Sequence, residues 1–487
     1  MKRNTRTNTK PGTKNIVLII TDTFRYDNLG DRARRPVRTP ELDRFAAERA
    51  TSVERCYMGS FPTIPHRTDL TSGILGWPHY GWQAIELSGP NHLPSMLREA
   101  GYASQLICDC PHLFNAHFNA AFDAAYQHRG QEGDRPLLHL NDPIERVVPL
   151  GKTRTHPSYR DATLVDLHRW TNWGNRWEEG THAAKTAATT VRWLEDNHRA
   201  GPFFLWVDFF DPHEPWDPPE YMARRYDPDY TGTPMLHPNY GPSAGYAPEE
   251  LRNLWAHYAA ESELVDRSIG RILQKMDDLE LWDDTVVLIT ADHGTSLGEH
   301  ERTGKSNIHD ADPRYWPIYP EIGRVPCLLA GGHVPAGRSL DLLVQPPDLA
   351  PTLCELAGVQ VKPPRPFDGS SFAGAVLNGS GAHRDMAVSG CFVSSEEASV
   401  PRKATVPFVV ADGWGCAPVG ARGEPELYEL GSDPLAERNV AAANGGKIGE
   451  LHERFIDHLK RHRADEAFVA MWKADRGGKG SWATDYA

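Results

Sequence analysis

No run of apolar residues in this 487-residue chain is long and uninterrupted enough to read as a membrane-spanning helix. Excess positive charge is missing too. Lysine and arginine number 52 against 65 aspartates and glutamates, a formal net charge of −13. A chain so acidic lacks the basic face that would displace counterions from a nucleic acid, so that class of partner is excluded. An anionic ligand has to be captured locally, by a metal and a few placed cations. Cysteine is scarce and odd in number. Seven residues without paired spacing read as reduced thiols rather than a disulfide framework. The closest two, Cys108 and Cys110, read as strand-end residues of no special chemistry. The opening MKRNTRTNTKPGTK is basic and polar and leads directly into Ile16–Ile20, with no signal core or small-residue cleavage site, so the expected location is the cytoplasm.

What is present is alternation. Apolar runs at Asn15–Ile20, Ala103–Cys108, Phe203–Phe209, Thr285–Thr290 and Pro326–Ala330 have the pattern of strands buried on both faces. Between them Pro40–Arg49, Leu93–Ala100, His182–His198 and Pro248–Leu279 carry apolar residues at helical spacing. Alternating strand and helix predict an α/β fold with a mostly parallel sheet covered by helices, whose ligands gather at the carboxyl ends of the strands. After about Pro363 the texture changes to short strand-like pieces, Asp385–Phe392, Ala404–Asp412 and Leu427–Leu430, and then a helix over Lys447–Arg463, which suggests a small antiparallel subdomain with a terminal helix. A chain of this length is expected to form one large domain with such an appendage. Residues 115–180, rich in aromatic, charged and proline residues and without periodicity, read as an insertion over one rim of the site.

The strand exits read Thr21-Asp22-Thr23, Asp208 through His213, and Ala291-Asp292-His293-Gly294. A hydrophobic sheet has no structural reason to end three times in acids and histidines. Asp22, Asp292 and His293, two carboxylates and an imidazole from distant sequence, suit a divalent metal. Taken singly, Asp22 would pass for a helix cap and Asp292-His293-Gly294 for a polar turn; together they favour the metal. Thr63-Ile-Pro-His-Arg67 lies in a loop before a helix start, where a hydroxyl reaches both a metal and a bound anion, and Arg67 one turn on could fork onto anionic oxygens. A capping Thr63 and a surface Arg67 remain equally open on this segment alone. His213, in Asp211-Pro-His213-Glu-Pro-Trp216, is a candidate general acid, though a lone histidine is more often a satisfied hydrogen-bonding residue. Lys305 could neutralise a substrate oxyanion, although taken alone it reads as an exposed lysine.

These segments, with Thr-Pro-Glu-Leu-Asp-Arg-Phe-Ala, Thr63-Ile-Pro-His-Arg67-Thr-Asp-Leu-Thr-Ser-Gly, Ala-Asp292-His293-Gly-Thr-Ser-Leu-Gly-Glu-His300 and Asp433-Pro-Leu-Ala-Glu-Arg-Asn, resemble the sulfatases in order from about Asn15 to about Ala443. The resemblance implies an alkaline-phosphatase-like sandwich: a disordered tail over 1–14, a sulfatase-like catalytic domain over 15–362, and a C-terminal subdomain and tail over 363–487. It implies a divalent ion (Ca, Mn or Zn) held by Asp22, Asp292 and His293 and touching Thr63, with a second ion left open. Asp211, His213, His300 and His309 are the ligands to test for that second ion. It puts Arg67 and Lys305 at the substrate anion, His213 at the leaving group and Thr63 at the nucleophile position.

Three departures from the family pattern matter. Threonine cannot be oxidised to the formylglycine that sulfatases build from Cys or Ser. Thr23 replaces the second aspartate of the usual Asp-Asp pair. The expected Gly-Lys-x-His segment reads Cys108-Asp109-Cys110-Pro-His112, which removes a lysine and leaves His112 as a partial substitute. Superfamily members that use a threonine nucleophile act at phosphorus, so the expected reaction is hydrolysis of phosphate or phosphonate esters through Thr63. The alternatives are a sulfatase working without formylglycine and an inactive binding protein on the same fold. The expected partner is a small anionic ester, with no nucleic acid and no membrane, and a homo-oligomer is left open.

Overall fold

The computed structural model of the protein describes residues 12–32, 35–87, 91–134, 164–172, 177–306, 312–392 and 405–473. Its centre is an eight-stranded sheet whose spatial order is Arg338–Val344, Ala50–Cys56, Cys327–Gly331, Thr285–Ala291, Asn15–Thr21, Phe203–Phe209, Ala103–Cys108 and Ala124–Gln127. Only Cys327–Gly331 runs against its neighbours, so the sheet is mostly parallel. The three central strands Asn15–Thr21, Phe203–Phe209 and Thr285–Ala291 are buried along their whole length. Their sequences are near-continuous runs of aliphatic and aromatic residues because helices cover both faces. Pairing of Asn15–Thr21 with both of the others is in register to the last residue, so Thr21 stands beside Phe209 on one side and Ala291 on the other. That register brings three acidic segments to one edge.

The helices over Pro40–Glu48, Leu93–Glu99, His182–Asn197 and Pro248–Asp278 match those expected from periodicity. The last is 31 residues long and starts with Glu250 accepting from the backbone N–H of Ala247. From its middle, Asp266 accepts the backbone N–H groups of Glu41 and Leu42 and so satisfies the first turn of the Pro40–Glu48 helix. A separate four-stranded antiparallel sheet of Met386–Ser389, Phe408–Ala411, Trp414–Ala417 and Glu426–Glu429 carries the helix Gly445–Arg461 against it. Asp348 bonds Arg384 through both carboxylate oxygens and so clamps this sheet to the large one.

Several strands escape the sequence reading. Ala50–Cys56 (ATSVERC) has its apolar run broken by threonine, serine, glutamate and arginine although it lies well inside the sheet. Arg338–Val344 carries a register shift between Leu340 and Leu343 that disrupts its alternation. The segment read as a rim insertion begins instead with a 3-10 turn at Phe118–Ala121 and an edge strand, Ala124–Gln127, that completes the main sheet. A helix over Leu164–Asn172 follows. The rest of that segment, 135–163 and 173–176, lies outside the described residues, as do 1–11 of the expected tail. None of the seven cysteines is in a disulfide. No helix among the described residues is long and apolar enough to cross a membrane.

Candidate metal and catalytic site

Asp22, Asp292 and His293 leave their strands together, and one ligand atom from each lies within 4.8 Å of the others, all fully buried. The backbone holds them there. Asp22 N–H bonds Phe209 O at 2.9 Å, and Asp292 N–H bonds Thr21 O at 3.2 Å, so each turn is anchored to the adjoining strand end. His293 donates Nδ1–H to the carbonyl of Gly294 at 2.9 Å. A carbonyl only accepts, so the ring's Nε2 carries the lone pair. That Nε2 and Asp22 Oδ2 are both buried without a hydrogen-bond partner. Burial holds His293 at about 4, with Lys305 lowering it further and Asp292 pulling the other way, so the imidazole is neutral. Burial and the adjacent Asp292 push Asp22 well above the carboxylate range. Two buried acids in contact, an orphaned carboxylate oxygen and an orphaned imidazole nitrogen together fit a divalent cation, which would satisfy all of them at once.

Thr23 takes a left-handed backbone, φ 65°, which a β-branched residue adopts only under constraint. The constraint is visible. Its N–H bonds Asp292 Oδ1 at 3.0 Å, its hydroxyl donates to Asp22 Oδ1 at 2.9 Å, and the hydroxyl oxygen accepts from Lys305 Nζ at 3.0 Å. Thr23 therefore relays Lys305 onto Asp22, a candidate metal ligand. Lys305 is buried and also stands 3.4 Å from Glu214 Oε1, not on the surface.

Thr63 is the first residue of the helix Thr63–Ser72, not a loop residue before it, and it is buried. Arg67 is placed differently from the expectation that it grips a substrate. Its guanidinium is fully buried and forks onto Asp208, Nε and Nη2 each at 2.8 Å. Nη1 then bonds Asp292 Oδ2 at 2.6 Å and Thr63 O at 3.1 Å, and lies 3.3 Å from Asp22 Oδ2. Arg67 thus locks the start of the Thr63 helix onto the candidate ligands Asp22 and Asp292. Asp208 stands at a strand exit marked in the sequence, but sequence reasoning assigns it no role there. Its partner lies 141 residues away, and only a side chain pointing inward from the last turn of a buried strand could have signalled it.

His213 sits with its ring stacked on Phe210 at 4.0 Å between centroids. Its Nδ1–H donates to the carbonyl of Glu214 at 2.7 Å. Burial, with Lys305 beside it, pushes the ring well below the ordinary imidazole value. As it stands His213 offers a lone pair at Nε2, where the sequence suggested a proton donor. His112 stacks edge-on to Phe210 and to the half-exposed Trp82, which continues an aromatic wall outward from His213.

The other expected second-ion ligands are engaged elsewhere. Asp211 accepts from Gln131 Nε2 and from Ala183 N at the start of a helix. His300 donates Nε2–H to Ala436 O and pairs through Nδ1 with Glu321 at 2.8 Å. Burial alone would lower the His300 pKa, but Glu321 overrides it and raises it. His309 lies outside the described residues. Two cavities of about 500 and 530 Å³ share Asp27, Leu435 and Glu437, and neither touches Asp22, Thr63, Asp292, His293 or Lys305.

Comparison with known proteins identifies the family. Residues 14–359 match the family model described as Sulfatase. The arylsulfatase of Clostridium perfringens is 24% identical over 481 residues, covering 92% of this chain and 93% of that protein. Among solved structures, the phosphonate monoester hydrolase of Agrobacterium radiobacter superposes with a TM-score of 0.67 at 20% identity, over 93% of this chain and 95% of that one. A protein solved with its substrate D-glucosamine-2-N,6-O-disulfate does so with a TM-score of 0.67 at 16% identity, over 94% and 99%. At such identities the structural likeness speaks to fold alone.

Proposed function

The chain belongs to the sulfatase family and is a hydrolase of ester bonds, and from that premise we propose that it cleaves phosphate or phosphonate esters with Thr63 as nucleophile. The observation that carries the reading is the single guanidinium nitrogen, Arg67 Nη1, bonded at once to Thr63 O and to Asp292. It ties the residue at the family's nucleophile position to the carboxylates of the metal cluster. A divalent cation held by Asp22, Asp292 and His293 supplies Lewis acidity to the hydroxyl and the phosphoryl oxygens when bound.

The residues themselves do the rest. Thr63 Oγ forms a bond to phosphorus as the bond to the leaving oxygen breaks and the Thr63 hydroxyl proton passes to that leaving oxygen. Water then displaces Thr63 from phosphorus, its hydroxyl staying on phosphorus and its second proton restoring the Thr63 hydroxyl. The helix N-terminus that Thr63 opens favours the charge developing there. Lys305, oriented by Thr23 and Glu214, faces the same anion. Threonine supports this sequence better at phosphorus than at sulfur, because a sulfate ester on threonine lacks the elimination route open to a formylglycine hydrate.

The test is turnover of matched aryl phosphate monoester, phosphodiester, phosphonate monoester and sulfate by metal-stripped protein refilled with Ca, Mn or Zn, beside Thr63→Ala. The expected result is phosphorus-ester turnover that falls by about 10³-fold or more in the variant, the scale of loss of an essential nucleophile. Sulfate turnover that survives in Thr63→Ala overturns the reading.

A further inference from the structure

His293 is not the only histidine that gives its Nδ1–H to the carbonyl of the next residue. His213 bonds Glu214 O and His237 bonds Pro238 O, each at 2.7 Å. A metal-ligating imidazole is commonly fixed in this way, because donation from one nitrogen sets the tautomer and aims the other lone pair. Both additional rings are buried, and both lone pairs turn toward acids. His237 Nε2 is 3.4 Å from Glu132 Oε2, and His213 Nε2 is 3.7 Å from Glu214 Oε1. A ring nitrogen facing a carboxylate at such distances is favourable only if it carries a second proton or a cation stands between them.

Glu214 is fully buried, and neither of its carboxylate oxygens has a hydrogen-bond partner. Ligand atoms of Glu132, His213 and Glu214 all lie within 4.8 Å of one another. Lys305 reaches this group from one side only, at 3.4 Å from Glu214 Oε1, and spends its close hydrogen bond on Thr23.

The formal charges point the same way. Asp22, Asp208, Asp292, Glu132 and Glu214 are five carboxylates, and Arg67 and Lys305 are the two cations bonded among them, which leaves three negative charges. One divalent ion at Asp22–Asp292–His293 leaves a net negative site that is asked to bind an anion. A second reverses the sign.

We propose that Glu132, His213, Glu214 and His237 form a second divalent-cation site across Lys305 from the first. Two carboxylates and two imidazoles select a first-row ion such as Mn²⁺ or Zn²⁺ over Ca²⁺, which takes oxygen ligands. The site extends the proposed function by adding a cation beside the substrate anion, but its test is read without turnover, so the two can fail separately.

Metal-stripped protein is titrated with Mn²⁺, and free ion is counted by electron paramagnetic resonance, for wild type, Glu132→Gln/Glu214→Gln and Asp22→Asn/Asp292→Asn. The expected stoichiometry is two ions per chain in wild type and one in each double variant, with circular dichroism spectra matching wild type. The milder His237→Gln keeps the first ion and weakens the second at least tenfold, which serves if the double glutamine variant does not fold. One ion in wild type that is lost with Asp22 and Asp292 but not with Glu132 and Glu214 overturns this site and leaves the proposed function standing. Two ions retained in Glu132→Gln/Glu214→Gln overturn it as well, since the extra ion then sits elsewhere.

Discussion

Replacing Arg67 separates two roles that the sequence alone leaves equal. If Arg67 gripped substrate oxygens, Arg67→Lys would raise KM and leave folding untouched. The structure instead commits the guanidinium to Asp208, Asp292 and the Thr63 carbonyl, with no exposed surface. Lysine keeps the charge but cannot reproduce the two parallel bonds to Asp208 or reach Thr63 O at the same time. Arg67→Met goes further and leaves Asp208 a buried, unpaired acid, held afterwards only by Trp206 Nε1 at 3.0 Å. Breaking one side of a buried ion pair costs about 3–5 kcal/mol. At roughly 2 °C per kcal/mol for a large domain, Arg67→Met is expected to lower the thermal midpoint by about 6–10 °C, with Arg67→Lys falling between it and wild type. The assay is circular dichroism melting of metal-stripped protein, so that weakened metal binding does not enter. An Arg67→Lys protein that melts with wild type and shows only a raised KM would refute the assignment of Arg67 as the tie between helix and metal cluster.

Asp348 offers a test of pH dependence away from the metal. Burial pushes its carboxyl upward, but His383 and Arg384 more than offset this and hold it at about 2. A depressed carboxylate contributes stability that is fully present above its ordinary value near 4 and is lost as pH falls toward 2, here about 2 kcal/mol at most. Urea unfolding of Asp348→Asn should therefore trail wild type at neutral pH and converge on it as pH falls through that window, and a gap that ignores pH would count against the clamp. Gly294→Ala probes the turn behind His293. A Cβ there would lie 2.2 Å from Glu321 O and 3.0 Å from Arg25 Cγ, so the turn must move and take the Gly294 carbonyl away from His293 Nδ1. Loss of such an orienting bond weakens metal binding by about 10–100-fold, and unchanged Mn²⁺ affinity in Gly294→Ala would show that the carbonyl does not orient the ring.

What could be read from the sequence follows from range. Asp22, Asp292 and His293 stood out because a strand buried on both faces has an unmistakable apolar run, and whatever follows it marks the sheet edge. The central strands were legible for the same reason, and the four helices through their helical periodicity. Ala50–Cys56 was not, since its neighbours supply the burial that its own composition does not announce. Asp208 is the last inward residue but one of a legible strand, yet its pairing with Arg67 joins two distant segments and has no local signature. The three Nδ1–carbonyl bonds are invisible in sequence for a different reason. They depend on ring rotation at single residues, and nothing in His-Glu, His-Pro or His-Gly distinguishes a ring turned back onto its own backbone.

The exchange of an aspartate for Thr23 reads in sequence as the loss of a ligand. In three dimensions it is a change of partner. An aspartate at 23 would add a further carboxylate to a cluster where burial, and after it repulsion from Asp292, already push Asp22 upward. The hydroxyl instead accepts from Lys305 and donates to Asp22, so a cation two side chains away is coupled to the ligand without entering the ion's shell. On the function proposed above, one hard oxygen donor fewer and a nitrogen from His293 would suit manganese or zinc better than calcium. Those ions would also be the better Lewis acids for the proposed Thr63 nucleophile, a hydroxyl that, unlike a formylglycine hydrate, has a single proton to lose. On that proposal the threonines at 63 and 23 form two parts of one adjustment, the first setting how much activation the nucleophile would need and the second shaping the ion that would provide it.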